Sequence, residues 1–211
     1  MIIVIGGIKG GPGKTTIATN LTVLRSQKGK KVLLVDADEQ KSASVWSAQR
    51  DALAISSPWT TIQLSGRAVH TELQKLSAHY DDIIVDTGGR DNSSQRSALT
   101  VASVFLVPFR PRSLDIWTIG DVAQLISEVK VINPKLLCYT VINQGDASGN
   151  DNKEAKEILS ECEHFKCFPN FLGNRKSFAS ATAKGLAVCE NKPLDKKSII
   201  EMNMLYEMIY K

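Results

Sequence analysis

The residues best suited to chemistry lie together near the start of the chain, in Lys9-Gly10-Gly11-Pro12-Gly13-Lys14-Thr15-Thr16. An apolar run from Met1 to Ile5 precedes them and a helix-like segment follows. Strand, glycine loop and helix form the setting of a phosphate-binding loop. Glycines let backbone N–H groups close around phosphate oxygens where a Cβ would block the approach. In this pattern Lys14 reaches the β- and γ-phosphates of a nucleotide and the Thr15 hydroxyl ligates Mg²⁺. Gly10, Gly11, Gly13 and Thr16 complete the expected cradle. The strict form of the motif has glycine five residues before Gly13. Here that position is Ile8, and a second lysine, Lys9, opens the loop.

Three further positions fall just after strand-like apolar runs. Asp36 and Asp38 follow Val32-Leu33-Leu34-Val35, Asp86 follows Ile83-Ile84-Val85, and Asn143 follows residues 136–142. A carboxylate at the end of a hydrophobic strand is costly unless it is paired, so Asp86 is expected to meet Mg²⁺ or its waters. Asp36 and Asp38, two apart, share a face if the strand continues through them.

Strands and helices alternate. Strands are expected at 2–5, 31–35, 61–64, 82–85, 104–108, 136–142 and 166–172. Helices are expected at 14–27, 42–53, 68–78, 95–101, 116–131, 153–162, 177–184 and 197–210, with residues 143–152 as a polar loop. Gly29 is a natural helix stop. The alternation predicts an α/β fold, a mostly parallel, doubly wound sheet with helices on both faces, as one domain over residues 1–211. Ligands of such sheets sit at the carboxyl ends of the strands, which brings the glycine loop, Asp36, Asp38, Asp86 and Asn143 to one edge.

Composition excludes several classes. At 43% apolar and 23% charged residues the chain is globular. No apolar run approaches the ~20 residues of a membrane span. The N-terminal apolar run has no basic residues before it and is too short for a signal peptide, so a cytoplasmic location is expected. Cys138, Cys162, Cys167 and Cys189 have no common zinc spacing, and His70, His79 and His164 are isolated. The net charge of +4 is uneven: residues 164–200 carry Lys166, Arg175, Lys176, Lys184, Lys192, Lys196 and Lys197 against Glu190 and Asp195. Such a stretch suits a solvated face or a polyanion.

Lys9 carries a family resemblance. K-G-G-x-G-K-T-T resembles the deviant Walker A motif of the ParA/MinD ATPases. Val32 to Gln40 is similar to that group's D-x-D-P-Q strand end, with Glu39 in place of the proline. Ile83-Ile84-Val85-Asp86-Thr87 resembles its Walker B strand, followed here by Gly88-Gly89 instead of the frequent proline pair. Trp46, Val107-Pro108-Phe109-Arg110-Pro111, Asp115, and the late Arg175, Phe178, Gly185, Val188, Glu190 series resemble the small single-domain plasmid-partition ParA (ParF-like) proteins.

The resemblance implies a P-loop ATPase that uses ATP and Mg²⁺ and dimerises on ATP. Lys9 would reach the partner subunit's nucleotide, Asp38 would orient the attacking water, Asp36 would join the magnesium shell, and Asn143 would contact adenine. It also implies non-specific DNA binding, with Arg175, Lys176, Lys184, Lys196 and Lys197 as contact candidates. A centromere-binding ParB-type or small ParG-like partner would stimulate hydrolysis, and the ATPase would be nucleoid-associated. No DNA-reading domain is expected ahead of the first strand.

A MinD-like membrane-cycling regulator is the alternative, and it needs a C-terminal amphipathic helix. Residues 198–210 supply apolar residues, but Glu201 and Glu207 replace a lysine-rich face, which favours a helix docked on the sheet. A cluster carrier resembling the nitrogenase iron protein needs cysteines near the nucleotide, and none follows Asp86 before Cys138. A scaffold without turnover is disfavoured by intact Lys14, Asp38 and Asp86.

Overall fold

Strand β1 (Ile2–Ile5) is buried along its whole length because both its faces are covered. Ile3 and Ile5 join one core, while Ile2 and Val4 join another on the opposite side. The same alternation runs through β2 (Val32–Ala37), β4 (Asp82–Thr87) and β5 (Val104–Phe109), all fully buried. With β3 (Thr60–Gln63), β6 (Leu137–Gly145) and β7 (Lys166–Gly173) they form one seven-stranded parallel sheet in the order β3-β2-β4-β1-β5-β6-β7. This computed structural model describes residues 1–89, 92–111 and 117–211.

Helices α1 (Lys14–Gln27), α2 (Ser42–Ala52), α7 (Lys176–Ala183) and α8 (Lys196–Tyr210) feed the core that holds Ile3 and Ile5. Helices α3 (Ala68–Leu76), α4 (Ser93–Leu99), α5 (Ile119–Ile132) and α6 (Asp151–Glu161) feed the other. The doubly wound α/β expectation therefore holds. Helix α1 stops where predicted, with Gly29 at φ +74° just past its end.

Several boundaries differ from expectation by one or a few residues. Strands β2 and β4 run on through Asp36 and Asp86, because both carboxylates find partners at the strand ends. Strand β6 continues through Asn143 to Gly145 and α6 opens at Asp151, which shortens the polar loop. Ile116, the expected start of the fifth helix, and Asp115 lie outside the described residues, and α5 is described from Ile119.

The last helix is docked, as its acidic residues suggested. Met202, Leu205, Tyr206 and Ile209 are buried. Arg25 fixes the helix to the sheet: its Nε donates to Asp82 Oδ2 at 2.5 Å, its Nη1 to the Tyr206 hydroxyl at 3.0 Å, and its guanidinium lies 4.2 Å from the Tyr210 ring centre. No helix among the described residues is long and apolar enough to cross a membrane.

Candidate nucleotide site

The chain leaves β1 through Gly6 and Gly7 and turns back into α1. Gly11 and Gly13 hold φ of +86° and +88°, a region side chains rarely adopt. A Cβ on Gly13 would collide with Asn143 Nδ2. Gly13 is the N-cap of α1 and no side chain caps the helix, so its first-turn amides remain for an anion.

Side chains hold the loop's carbonyls. Lys14 Nζ donates to Lys9 O at 2.8 Å, Asn143 Nδ2 to Pro12 O at 2.6 Å, and Gln144 Nε2 to Gly11 O at 3.2 Å. Arg110 Nη2 also donates to Gly11 O. Asn143 thus anchors the loop from below. It is buried, and this hydrogen bond supports the loop beneath the cleft. Arg110 and Gln144 escaped assignment in the sequence, although Arg110 ends the apolar run of β5 and so had to reach the same edge.

Across the cleft stand the carboxylates. Thr15 Oγ1 donates to Asp86 Oδ2 at 2.6 Å. Asp86 is fully buried, and its Oδ1 has no hydrogen-bond partner among the described residues. Burial pushes its pKa up to about 7, against the lowering effect of the Thr15 hydrogen bond. Lys14 is also buried, and desolvation lowers its pKa against the attraction of Asp86 and Asp38.

Asp36 lies in register with Asp86 on the neighbouring strand. Its Oδ1 accepts from Asp38 N at 3.2 Å and its Oδ2 from Ser44 N at 2.7 Å. Both oxygens thus accept from backbone, and Asp36 builds the turn that presents Asp38 and fixes the start of α2. Asp38, half-buried, accepts from Gln40 N at 3.1 Å.

Gly88 and Gly89 bring the loop after β4 onto this edge. A Cβ on Gly88 would lie 3.1 Å from Asp38 Oδ1, and one on Gly89 would lie 2.5 Å from the Gly10 backbone. Behind them sits the buried Gln95, whose Oε1 accepts from Gly7 N at 2.9 Å and from Thr87 Oγ1 at 2.9 Å. No periodicity in the sequence marks Gln95.

The result is a cleft of about 790 Å³ lined by Gly10, Gly11, Gly13, Lys14, Thr15, Thr16, Asp38, Gly88, Gly89 and others. A buried acceptor without a partner, beside a hydroxyl and a lysine, is the donor set of a divalent cation held against phosphate. Lys9, which opens the loop, is half-buried, and its carbonyl accepts from Lys14 Nζ.

The basic residues lie elsewhere, after the edge strand β7. Lys176, Lys184, Lys196 and Lys197 are exposed. Arg175 is not available in the same way: its Nη2 donates to Glu201 Oε1 at 2.5 Å and its Nε to Glu201 Oε2 at 3.0 Å.

A family model described as the CobQ/CobB/MinD/ParA nucleotide binding domain matches residues 3–188. The chain is 30% identical over 209 residues to the maintenance of carboxysome distribution protein A of Halothiobacillus neapolitanus, covering 96% of this chain and 93% of that protein. Its fold matches that of apo McdA from Cyanothece with a TM-score of 0.80 at 17% identity, over 99% of this chain and 98% of that one. A plasmid partition protein from Borrelia burgdorferi superposes with a TM-score of 0.72 at 22% identity, over 99% and 96% of the two chains.

Proposed function

Because the chain belongs to the CobQ/CobB/MinD/ParA nucleotide-binding family, we propose that it is a ParA-type ATPase. In this reading it hydrolyses ATP with Mg²⁺ and works as a single domain that positions a large cargo. The observation that carries this reading is the unpartnered Asp86 Oδ1 beside Thr15, in the same cleft as Lys14 and Asp38. Thr15 and Asp86 are the residues that would hold the metal. When bound there, the metal would supply charge neutralisation for the phosphates.

The chain's own residues do the rest. The α1 amides and Lys14 bind the phosphates, and the tethered carbonyls of Lys9, Gly11 and Pro12 keep the loop in shape. Asp38 orients the attacking water. Lys9 adds a cation to the partner subunit's phosphates, so that the dimer persists only while the γ-phosphate is present.

Dimerisation then brings two basic faces to one duplex, and DNA is held without sequence preference. A ParB-type or small ParG-like partner stimulates hydrolysis and releases the ATPase, which cycles between cytoplasm and nucleoid. The relatives named for carboxysome distribution and for plasmid partition support positioning as the shared outcome. The docked α8 speaks against membrane cycling.

The test is ATP binding and turnover in two variants. Lys14→Ala is expected to lose nucleotide binding, and Asp38→Ala to bind ATP and lose turnover. Equal ATPase in wild type and Asp38→Ala removes Asp38 from the mechanism.

A further inference from the structure

Residues 185–191, between α7 and α8, are gripped from two sides by buried polar side chains. On one side is Asn20, in the second turn of α1 and 1% exposed. Its Nδ2 donates to Thr16 O at 2.7 Å and its Oδ1 accepts from Val188 N at 2.9 Å. One amide thus joins the end of the phosphate loop to this segment.

On the other side is Arg50, in the last turn of α2 and also 1% exposed. All five of its N–H donors are engaged: Nε with Ser57 Oγ, Nη1 with Gly185 O and Glu190 Oε2, and Nη2 with Ser56 O and Glu190 Oε1. The rings of Trp46 and Trp59 lie 5.1 Å and 4.8 Å from the guanidinium. Glu190 is held in turn by Ala187 N at 2.9 Å. Gly185, at φ +67°, lets the chain pass where a Cβ would lie 3.0 Å from Arg50 Cγ.

The two helices so joined carry the two halves of the site. Helix α1 starts at Lys14 and Thr15. Helix α2 is entered from Asp38, and its first turn is fixed by Asp36. We propose that residues 185–191 are a strut between α1 and α2. Asn20 and Arg50, neither of which lines the cleft, are then positioning residues that hold Asp38 at its working distance from the phosphate loop. This rests on the ATPase reading above. A hydrophobic contact would serve stability as well as a buried ion pair does. A guanidinium with every donor fixed adds orientation, which water attack on a phosphate requires.

The test separates position from stability. Replacing the ion pair with neutral residues in the double variant Arg50→Met/Glu190→Gln removes the fork without stranding a charge. Asn20→Ala cuts the link to α1. In both, ATP affinity is expected to stay within about threefold of wild type while kcat at saturating Mg·ATP falls about tenfold or more. The melting temperature of the double variant is expected to hold. Unchanged kcat, a parallel loss of affinity and kcat, or loss of folding in both variants overturns the strut. Absence of turnover in the wild type, with ATP bound, contradicts the ATPase reading instead and leaves the strut no reaction to position.

Discussion

The Thr15 hydroxyl donates to Asp86 Oδ2 at 2.6 Å, joining the first turn of α1 to the carboxyl end of β4 across 71 residues of sequence. The hydroxyl and the carboxylate are the two groups that phosphoryl chemistry sets on a magnesium ion. Here each satisfies the other, and Asp86 Oδ1 has no hydrogen-bond partner among the described residues.

That arrangement predicts a pH dependence. The Asp86 carboxyl, ordinarily near 3.8, titrates at about 7 in the folded chain. A raised pKa means the folded state holds a proton that the unfolded chain has released. The stabilising contribution is complete below about 4 and is lost as pH rises to about 7. Mg²⁺ needs the ionised carboxylate, so metal-dependent ATP binding is expected to weaken as pH falls below about 7, with release of a proton on binding. Calorimetry in buffers of different ionisation enthalpy measures that proton. In Asp86→Asn the proton release is expected to vanish.

The close approach of Gly89 to Gly10 predicts a second effect. In Gly89→Ala the new Cβ meets backbone at 2.5 Å, so the loop after β4 must move. Overpacking of this kind costs about 1–3 kcal/mol. Because the displaced loop also carries Gly88 against Asp38, turnover is expected to fall by at least about tenfold. Single-turnover kinetics beside a thermal melt check both.

Arg175 and the lysines are expected to part company. Replacing Lys176, Lys196 and Lys197 by Gln is expected to weaken DNA retention on every sequence alike. The slope of log affinity against log salt should fall by about 0.9 for each phosphate that is no longer neutralised. Arg175→Gln breaks the pair with Glu201 and is expected to cost about 1–3 kcal/mol of stability with a smaller effect on DNA. Salt titrations of binding to two unrelated duplexes, with melting curves, separate the two kinds of residue.

Much of this was legible in the sequence, for a physical reason. Parallel strands buried on both faces read as unbroken apolar runs, so β1, β2, β4 and β5 and the edge they share stand out. The glycine loop carries its own signature, since only glycine tolerates those torsions at that approach. What sequence hides is where side chains spend their hydrogen bonds. No spacing announces that Asn143 donates to Pro12 O. Nor does spacing show that Asp36 accepts from two backbone amides. The pairing of Arg175 with Glu201 is equally hidden. Gln95 and Arg50 sit at no telling spacing, because their partners come from distant segments that only the folded sheet brings together.

In the proposed cycle the γ-phosphate joins two chains through Lys9. Light scattering measures it most directly, on wild type, Asp38→Ala and Lys9→Ala, each with ATP, with ADP and without nucleotide. Wild type and Asp38→Ala are expected to move from one chain of 23.1 kDa to twice that mass with ATP alone. Lys9→Ala is expected to bind ATP and stay a single chain. A dimer of equal strength with ADP, or an undiminished ATP dimer in Lys9→Ala, would contradict the account.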